Sequence, residues 1–177
     1  MRVVSGFLKG RSFEAPAGHR THPMSEKARG ALFSALGDIR GLSVLDAFAG
    51  SGALAIEAVS QGAAGAVAVE IDKNAAQTIE ANLKALDLEK AVQVIRANAF
   101  SWSDNNAKQQ FDLLFADPPY DKLSLQLLQK LMRHVQVGGL YVLSWPGNLT
   151  VPELVSGNLV KTKSYGDNQL AFYRRIP

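Results

Sequence analysis

From residue 42 onward, short apolar runs alternate with stretches of helical spacing, and this alternation limits the possible folds more than any other feature of the chain. Leu42-Ser43-Val44-Leu45-Asp46-Ala47 reads as a strand, Gly50-Ser51-Gly52 as a turn, and Ala53 to about Gln61 as an apolar-rich helix that Gly62 ends. Ala66-Val67-Ala68-Val69-Glu70 reads as a strand buried on both faces. Lys73 to Leu86 follows as a helix with Ala76, Ile79, Leu83 and Leu86 on one face. Val92-Gln93-Val94-Ile95-Arg96 and Phe111-Asp112-Leu113-Leu114-Phe115-Ala116 give two more strands. A helix spans Ser124 to Val135, and Leu140 to Trp145 is a fifth strand, entered through Gly138-Gly139. Strict alternation of this kind requires a parallel sheet with right-handed crossovers and helices on both faces, a doubly wound α/β fold. The ending differs, because Leu159 to Ser164 and Gln169 to Arg174 flank Tyr165-Gly166-Asp167-Asn168 and predict a terminal antiparallel hairpin.

The first 40 residues have another character. Val3-Val4-Ser5 and Ser12-Phe13-Glu14 suggest a small basic hairpin, followed by a loop from Pro16 to Pro23. A helix then runs from about Ser25, a good cap, through Ala31, Leu32 and Leu36 to Gly37. A chain of 177 residues suffices for one core and is short for two, so residues 1–177 are expected to form one domain. Within it, 1–40 is an appendage and 41–177 the core.

Several chemistries are excluded at this level. Cysteine is absent, which removes disulfides, thiolate metal sites and cysteine nucleophiles. The three histidines, His19, His22 and His134, make a poor metal set, and none is expected. No apolar run approaches the roughly 20 residues a bilayer requires, and the start lacks a secretion signal, so a cytoplasmic protein without membrane association is expected. Charge is unevenly spread. Residues 1–40 carry seven Lys or Arg against three acids, residues 41–157 eight against twelve, and residues 158–177 four against one. Basic ends suit a polyanion, with Arg2, Lys9, Arg11, Arg20, Lys27 and Arg29 as candidate phosphate contacts, and an acidic centre suits a cationic small molecule.

The run Asp46-Ala47-Phe48-Ala49-Gly50-Ser51-Gly52 closes a strand and opens a helix, so a ligand can lie against its backbone and the helix N-terminus. Glu70 ends the next strand about twenty residues on, where a carboxylate can accept both hydroxyls of a ribose. Asp46 would repel a pyrophosphate but suits a cofactor carrying an ammonium and a sulfonium, which favours S-adenosyl-L-methionine over a nicotinamide. The final hairpin resembles the closing strands of class I (Rossmann-like) methyltransferases. That resemblance implies that Ile71 packs on the adenine and that Asn98 and Ala99 border its amino edge.

Asp117-Pro118-Pro119-Tyr120 directly follows the fourth strand, at the sheet edge where ligands bind in open α/β folds. Two prolines stiffen the loop and leave it rich in acceptors. The lone pair of an exocyclic base amine is delocalised into the ring. The Asp117 carboxylate and the Pro118 carbonyl can each accept one amine hydrogen and free that pair, while Tyr120 stacks on the base.

Together Asp46 to Gly52, Val69-Glu70-Ile71-Asp72 and the tetrad Asp117 to Tyr120 resemble the RsmD family, the small-subunit ribosomal RNA guanine-N2 methyltransferases. Arg2-Val3-Val4-Ser5-Gly6, Gly10-Arg11 and Arg29-Gly30-Ala31-Leu32-Phe33 extend the resemblance over nearly the whole chain. It departs at His22-Pro23-Met24-Ser25, where the family commonly carries Arg-Pro-Thr-Thr. The resemblance implies a class I methyltransferase fold with a seven-stranded sheet. As substrate it implies 16S rRNA within the 30S subunit or an assembly intermediate, and as target the N2 of a guanine in helix 31. Competing readings are an adenine-N6 methyltransferase acting on RNA or DNA, a catalytically silent RNA-binding protein that holds the cofactor, and a nicotinamide oxidoreductase. The first shares the tetrad, but only 57 residues follow Tyr120, too few for a separate recognition segment. A monomer is expected, since no apolar stripe is left over.

Overall fold

A computed structural model describes residues 1–17, 24–119 and 124–177. Arg20, Tyr120, His19, His22 and most of the loop Pro16 to Pro23 therefore lie outside the described residues. The helices are α1 (Glu26–Leu36), α2 (Ala53–Ser60), α3 (Lys73–Ala85), α4 (Ala99–Asn105) and α5 (Leu125–Met132). The strands are β1 (Ser43–Asp46), β2 (Gly65–Glu70), β3 (Val92–Arg96), β4 (Phe111–Ala116), β5 (Val135–Pro146), β6 (Gly157–Tyr165) and β7 (Asn168–Arg175). All seven strands form one sheet in the order β3-β2-β1-β4-β5-β7-β6. β7 runs antiparallel to both β5 and β6, and the other neighbours pair in parallel. The mostly parallel sheet closed by a terminal hairpin agrees with the expectation. The order steps outward in both directions from the β1–β4 junction, and there the ends of β1, β2 and β4 open a crevice.

Local signals set most boundaries. Ser25, Asp72 and Ser124 cap α1, α3 and α5 through side-chain oxygens that accept from the amides of Ala28, Ala75 and Leu127. Two apolar layers fill the two faces of the sheet. One, with Phe33, Ile56, Ile79, Phe115 and Phe172, packs under α1, α2 and α3. The other, with Trp102, Leu128, Leu131, Tyr141 and Tyr173, packs under α4 and α5.

Three elements differ from the sequence reading. β5 starts at Val135, not at Leu140, and takes in Gly138-Gly139 through a register shift against β4. α5 correspondingly ends at Met132. α4 is an element the apolar pattern did not announce. It is short and rich in Ser, Asp and Asn, and forms because Asn98 accepts the Phe100 amide at 2.8 Å while Trp102 buries against Phe111 and His134.

The expected N-terminal hairpin is present: Arg2 bridges Ser12, the Val3 amide donates to the Arg11 carbonyl, the Gly10 amide to the Val3 carbonyl, and Met1 and Phe13 exchange backbone bonds. Other amides of its loop turn to α2. The amides of Val4 and Ser5 donate to Glu57 at 2.9 and 2.8 Å, and the Leu8 amide donates to the Ser60 hydroxyl at 3.0 Å. Gly6 has φ +80°, and a Cβ there would stand 1.8 Å from the Ser60 carbonyl oxygen. Only glycine lets the loop pass this close. Residues 1–14 are thus a strap bound to the helix that follows the glycine turn.

Candidate active site

The crevice is built from the carboxyl ends of four strands. At the end of β1, Asp46 is 1% exposed. Among the described residues neither of its carboxylate oxygens closes a hydrogen bond, and the backbone amides of Ala55 and Phe48 lie near enough to lower it in part. Burial, together with the charges of Asp117 and Glu70, pushes Asp46 up to about 7. A buried, unsatisfied carboxylate is costly unless something positive comes to it.

Glu70 ends β2 and ties the two sides of the crevice together. One oxygen accepts from the Gly50 amide at 2.7 Å and the other from the Asp72 amide at 2.8 Å, and each keeps a lone pair for a further donor such as a hydroxyl. Gly50 and Gly52 have φ of 54° and 75°. A side chain at Gly52 would also press on Ile79, at 2.9 Å. The turn therefore delivers the α2 N-terminus to the crevice with no side chain in front of it.

Ile71 follows Glu70 and is 62% exposed, unusual for an isoleucine beside a core and suited to one face of a flat ring. Asn98 is exposed at the α4 cap, and Ala99 behind it is buried. Phe48 is half-buried against the α4–α5 layer. These residues follow the carboxyl ends of β1, β2 and β3. A buried carboxylate that closes no hydrogen bond among the described residues, a carboxylate with lone pairs for further donors and an exposed apolar platform fit a cationic adenosine derivative such as S-adenosyl-L-methionine.

Asp117 leaves β4 next to Asp46 and is partly buried, with Pro118 buried behind it and Pro119 half-buried. Burial raises the Asp117 carboxyl, and a hydrogen bond from Ser144 on β5 lowers it in part. Ser144 is 5% exposed and carries no sequence signal, since a serine inside an apolar strand reads as filler. Only the pairing of β5 with β4 reveals it as the residue that orients Asp117. Asp117, Ser144 and Leu170 line one cleft with Met24 and Leu32.

The basic residues divide. Lys9 and Lys27 are exposed. Arg2 is exposed and paired with Glu26 at 3.4 Å, and Arg11 is exposed with one donor on the Ala85 carbonyl. Arg29 must be removed from the phosphate contacts. It is fully buried, its Nε bonded to Glu57 at 3.2 Å and its Nη2 donating to the Arg2 carbonyl at 2.5 Å. Its work is structural, joining α1, α2 and the strap. Among the described residues no group of three His, Asp or Glu side chains is arranged to hold a metal, and no helix is long and apolar enough to cross a membrane.

Residues 1–174 match the family described as Conserved hypothetical protein 95. The chain is 39% identical over 183 aligned positions to the "Putative rRNA methyltransferase YlbH" of Bacillus subtilis (strain 168), covering 99% of both chains. It is 35% identical to the Ribosomal RNA small subunit methyltransferase D of Escherichia coli (strain K12) over 68% of this chain and 60% of that one. A solved structure titled "Putative methyltransferase yhhF from Escherichia coli" superposes with a TM-score of 0.87 at 28% identity, covering 99% of this chain and 98% of that one. With its fold, its crevice and its whole length in agreement, the chain belongs to the RsmD family of ribosomal RNA methyltransferases.

Proposed function

We propose that the protein methylates the exocyclic N2 amine of a guanine in 16S rRNA, within the 30S subunit or an assembly intermediate, using S-adenosyl-L-methionine. The observation that carries this reading is the buried Asp46, which closes no hydrogen bond among the described residues and is set between Glu70 and Asp117, adjacent to Asp117-Pro118-Pro119. A site made for a cation thus adjoins a loop of acceptors.

When bound, the cofactor supplies a sulfonium methyl whose S–C bond electrons return to sulfur as the new N–C bond forms. Glu70 holds the ribose hydroxyls, Ile71 covers the adenine, Phe48, Asn98 and Ala99 border it, and Asp46 faces the positive end. The Asp117 carboxylate and the Pro118 carbonyl accept the two amine hydrogens and turn the nitrogen lone pair toward the methyl. Asp117, its affinity for protons raised by burial, takes the proton that the methylated nitrogen releases. Ser144 keeps that carboxylate in place, and Tyr120, next in the chain, stacks on the base. Positioning of this kind can remove about 7–11 kcal/mol of barrier.

The names of the relatives support RNA of the small subunit as the substrate class. The test is to incubate the purified protein with labelled methyl donor and 30S subunits lacking base methylation, then map the label. Label on guanine N2 is expected. Label on adenine N6 would correct the choice of base, and no label in rRNA would sink the reading.

A further inference from the structure

Phe7, at the tip of the strap, is 68% exposed, and among the described residues no other aromatic side chain is exposed. A single apolar residue at a surface is ordinary. Here, however, the backbone beneath the ring is fixed. The Phe7 amide donates to the Ser60 carbonyl at 2.9 Å, the Leu8 amide to the Ser60 hydroxyl at 3.0 Å, and that hydroxyl to the Ser5 carbonyl at 2.6 Å. The Lys9 amide closes the turn on the Gly6 carbonyl at 3.2 Å. Leu8 enters the core, 6% exposed, and its neighbour Phe7 is left in solvent. A ring mounted on an ordered turn loses little further entropy when something covers it.

The surroundings specify what covers it. From Met1 to Phe13 the strap carries Arg2, Lys9 and Arg11 and no acid. Lys9 and Arg11 are exposed, Lys9 only two residues from the ring. A flat apolar face beside cations matches the two parts of a single-stranded nucleotide, its base and its phosphate. The loop is also remote from the chemistry. α2 starts behind the glycine turn and ends at Ser60, and its eight residues, at about 1.5 Å each, set the loop about 12 Å from the crevice.

We infer that Phe7 is a stacking platform for an unpaired base of the rRNA, outside the target nucleotide, with Lys9 on an adjoining phosphate. The inference rests on 16S rRNA as the substrate and not on the choice of guanine N2. Binding of protein-free 16S rRNA lacking base methylation is measured at several KCl concentrations with S-adenosylhomocysteine present, alongside methyl mapping on 30S subunits.

Phe7→Ala is expected to weaken binding roughly tenfold while the slope of log affinity against log salt stays unchanged, because a stacked ring releases no counterions. Phe7→Leu, apolar but without a flat face, loses most of the same affinity. Lys9→Gln instead lowers the slope by about one. Phe7→Trp keeps the parent's affinity, and the emission it adds is quenched by rRNA. Trp102 and Trp145, 2% and 6% exposed, are too buried to report a stacked base. Val155→Ala, at a residue 74% exposed ahead of β6, is the control for loss of a surface apolar group. The inference is overturned if Phe7→Ala binds like Val155→Ala, if Phe7→Leu binds like the parent, or if Phe7→Trp shows no added quenching. A loss seen with 30S subunits but not with protein-free rRNA would overturn it in favour of a protein contact. A parent that binds rRNA but places no label on guanine N2 would overturn the proposed function, while the Phe7 series still decides the stack.

Discussion

Asp46 and Asp117 leave neighbouring strands with similar side chains, yet their surroundings give them different tasks. Asp46 closes no hydrogen bond among the described residues and is pushed by burial up to about 7, whereas an unfolded aspartate titrates near 3.8. A raised carboxyl contributes its full stability below the unfolded value and loses it as pH rises through the folded value. The free protein should therefore lose a few kcal/mol between about pH 4 and 7 through this group alone. Asp46→Asn should remove that loss, so the variant matches its parent near pH 4 and outlasts it in urea at pH 8, while binding S-adenosyl-L-methionine more weakly. A parent whose stability is flat over that window would refute the assignment. Asp117 has the Ser144 hydroxyl and sits where the amine is proposed to dock. Asp117→Asn should cut methyl transfer by on the order of 10²-fold or more, with cofactor affinity within about twofold of the parent by calorimetry. At this scale the sequence was legible where a residue type repeats a chemical pattern, as in the positive-φ glycine turn and in the carboxylates Asp46, Glu70 and Asp117 that the fold brings to neighbouring strand ends. It misled at Arg29, because a basic residue on an N-terminal helix reads the same whether it meets phosphate or a carboxylate on α2.

That carboxylate, Glu57, holds the strap, α1 and α2 together. It accepts from Val4, Ser5, Arg29 and Gln61, and it is 1% exposed. Removing one member of a buried pair strands the other, at about 3–5 kcal/mol, whereas an exposed pair such as Arg2–Glu26 contributes at most about 1 kcal/mol. Glu57→Gln should accordingly shift the urea midpoint far more than Arg2→Ala, and equal shifts would show that the strap is not anchored there. The elements that periodicity recovered, β1 to β4 with α2 and α3, are those whose apolar residues all face a core layer. The strap was expected as a hairpin, and the amides of Val3, Gly10 and Phe13 do donate within it. What no local pattern encodes is that the amides of Val4, Ser5 and Leu8 are satisfied by side chains more than fifty residues away. α4 escaped for the converse reason: one tryptophan buries it, and one residue makes no period.

Over the whole molecule the uneven charge of the sequence becomes a spatial division. The acids of the centre gather at the ends of β1, β2 and β4, and the basic ends lie on the strap, on α1 and on the outer strand β6. Not every terminal cation is available. Arg174 donates to the Gly138 carbonyl and Arg175 to the Arg133 carbonyl, so both fasten β7 to the sheet. Lys9, Lys27 and Lys163 remain exposed. Exposed lysines on phosphates act by releasing counterions, so each adds to the dependence of binding on salt. A buried carboxylate facing a cation is screened much less. Three such contacts imply that affinity for 30S subunits falls roughly 20- to 40-fold between 50 and 200 mM KCl, while affinity for S-adenosyl-L-methionine changes by less than about threefold. Filter binding and calorimetry across that range would measure the two. Parallel loss of both affinities would mean that cofactor and RNA share one electrostatic field. A flat RNA profile would mean that the basic ends do not meet the substrate.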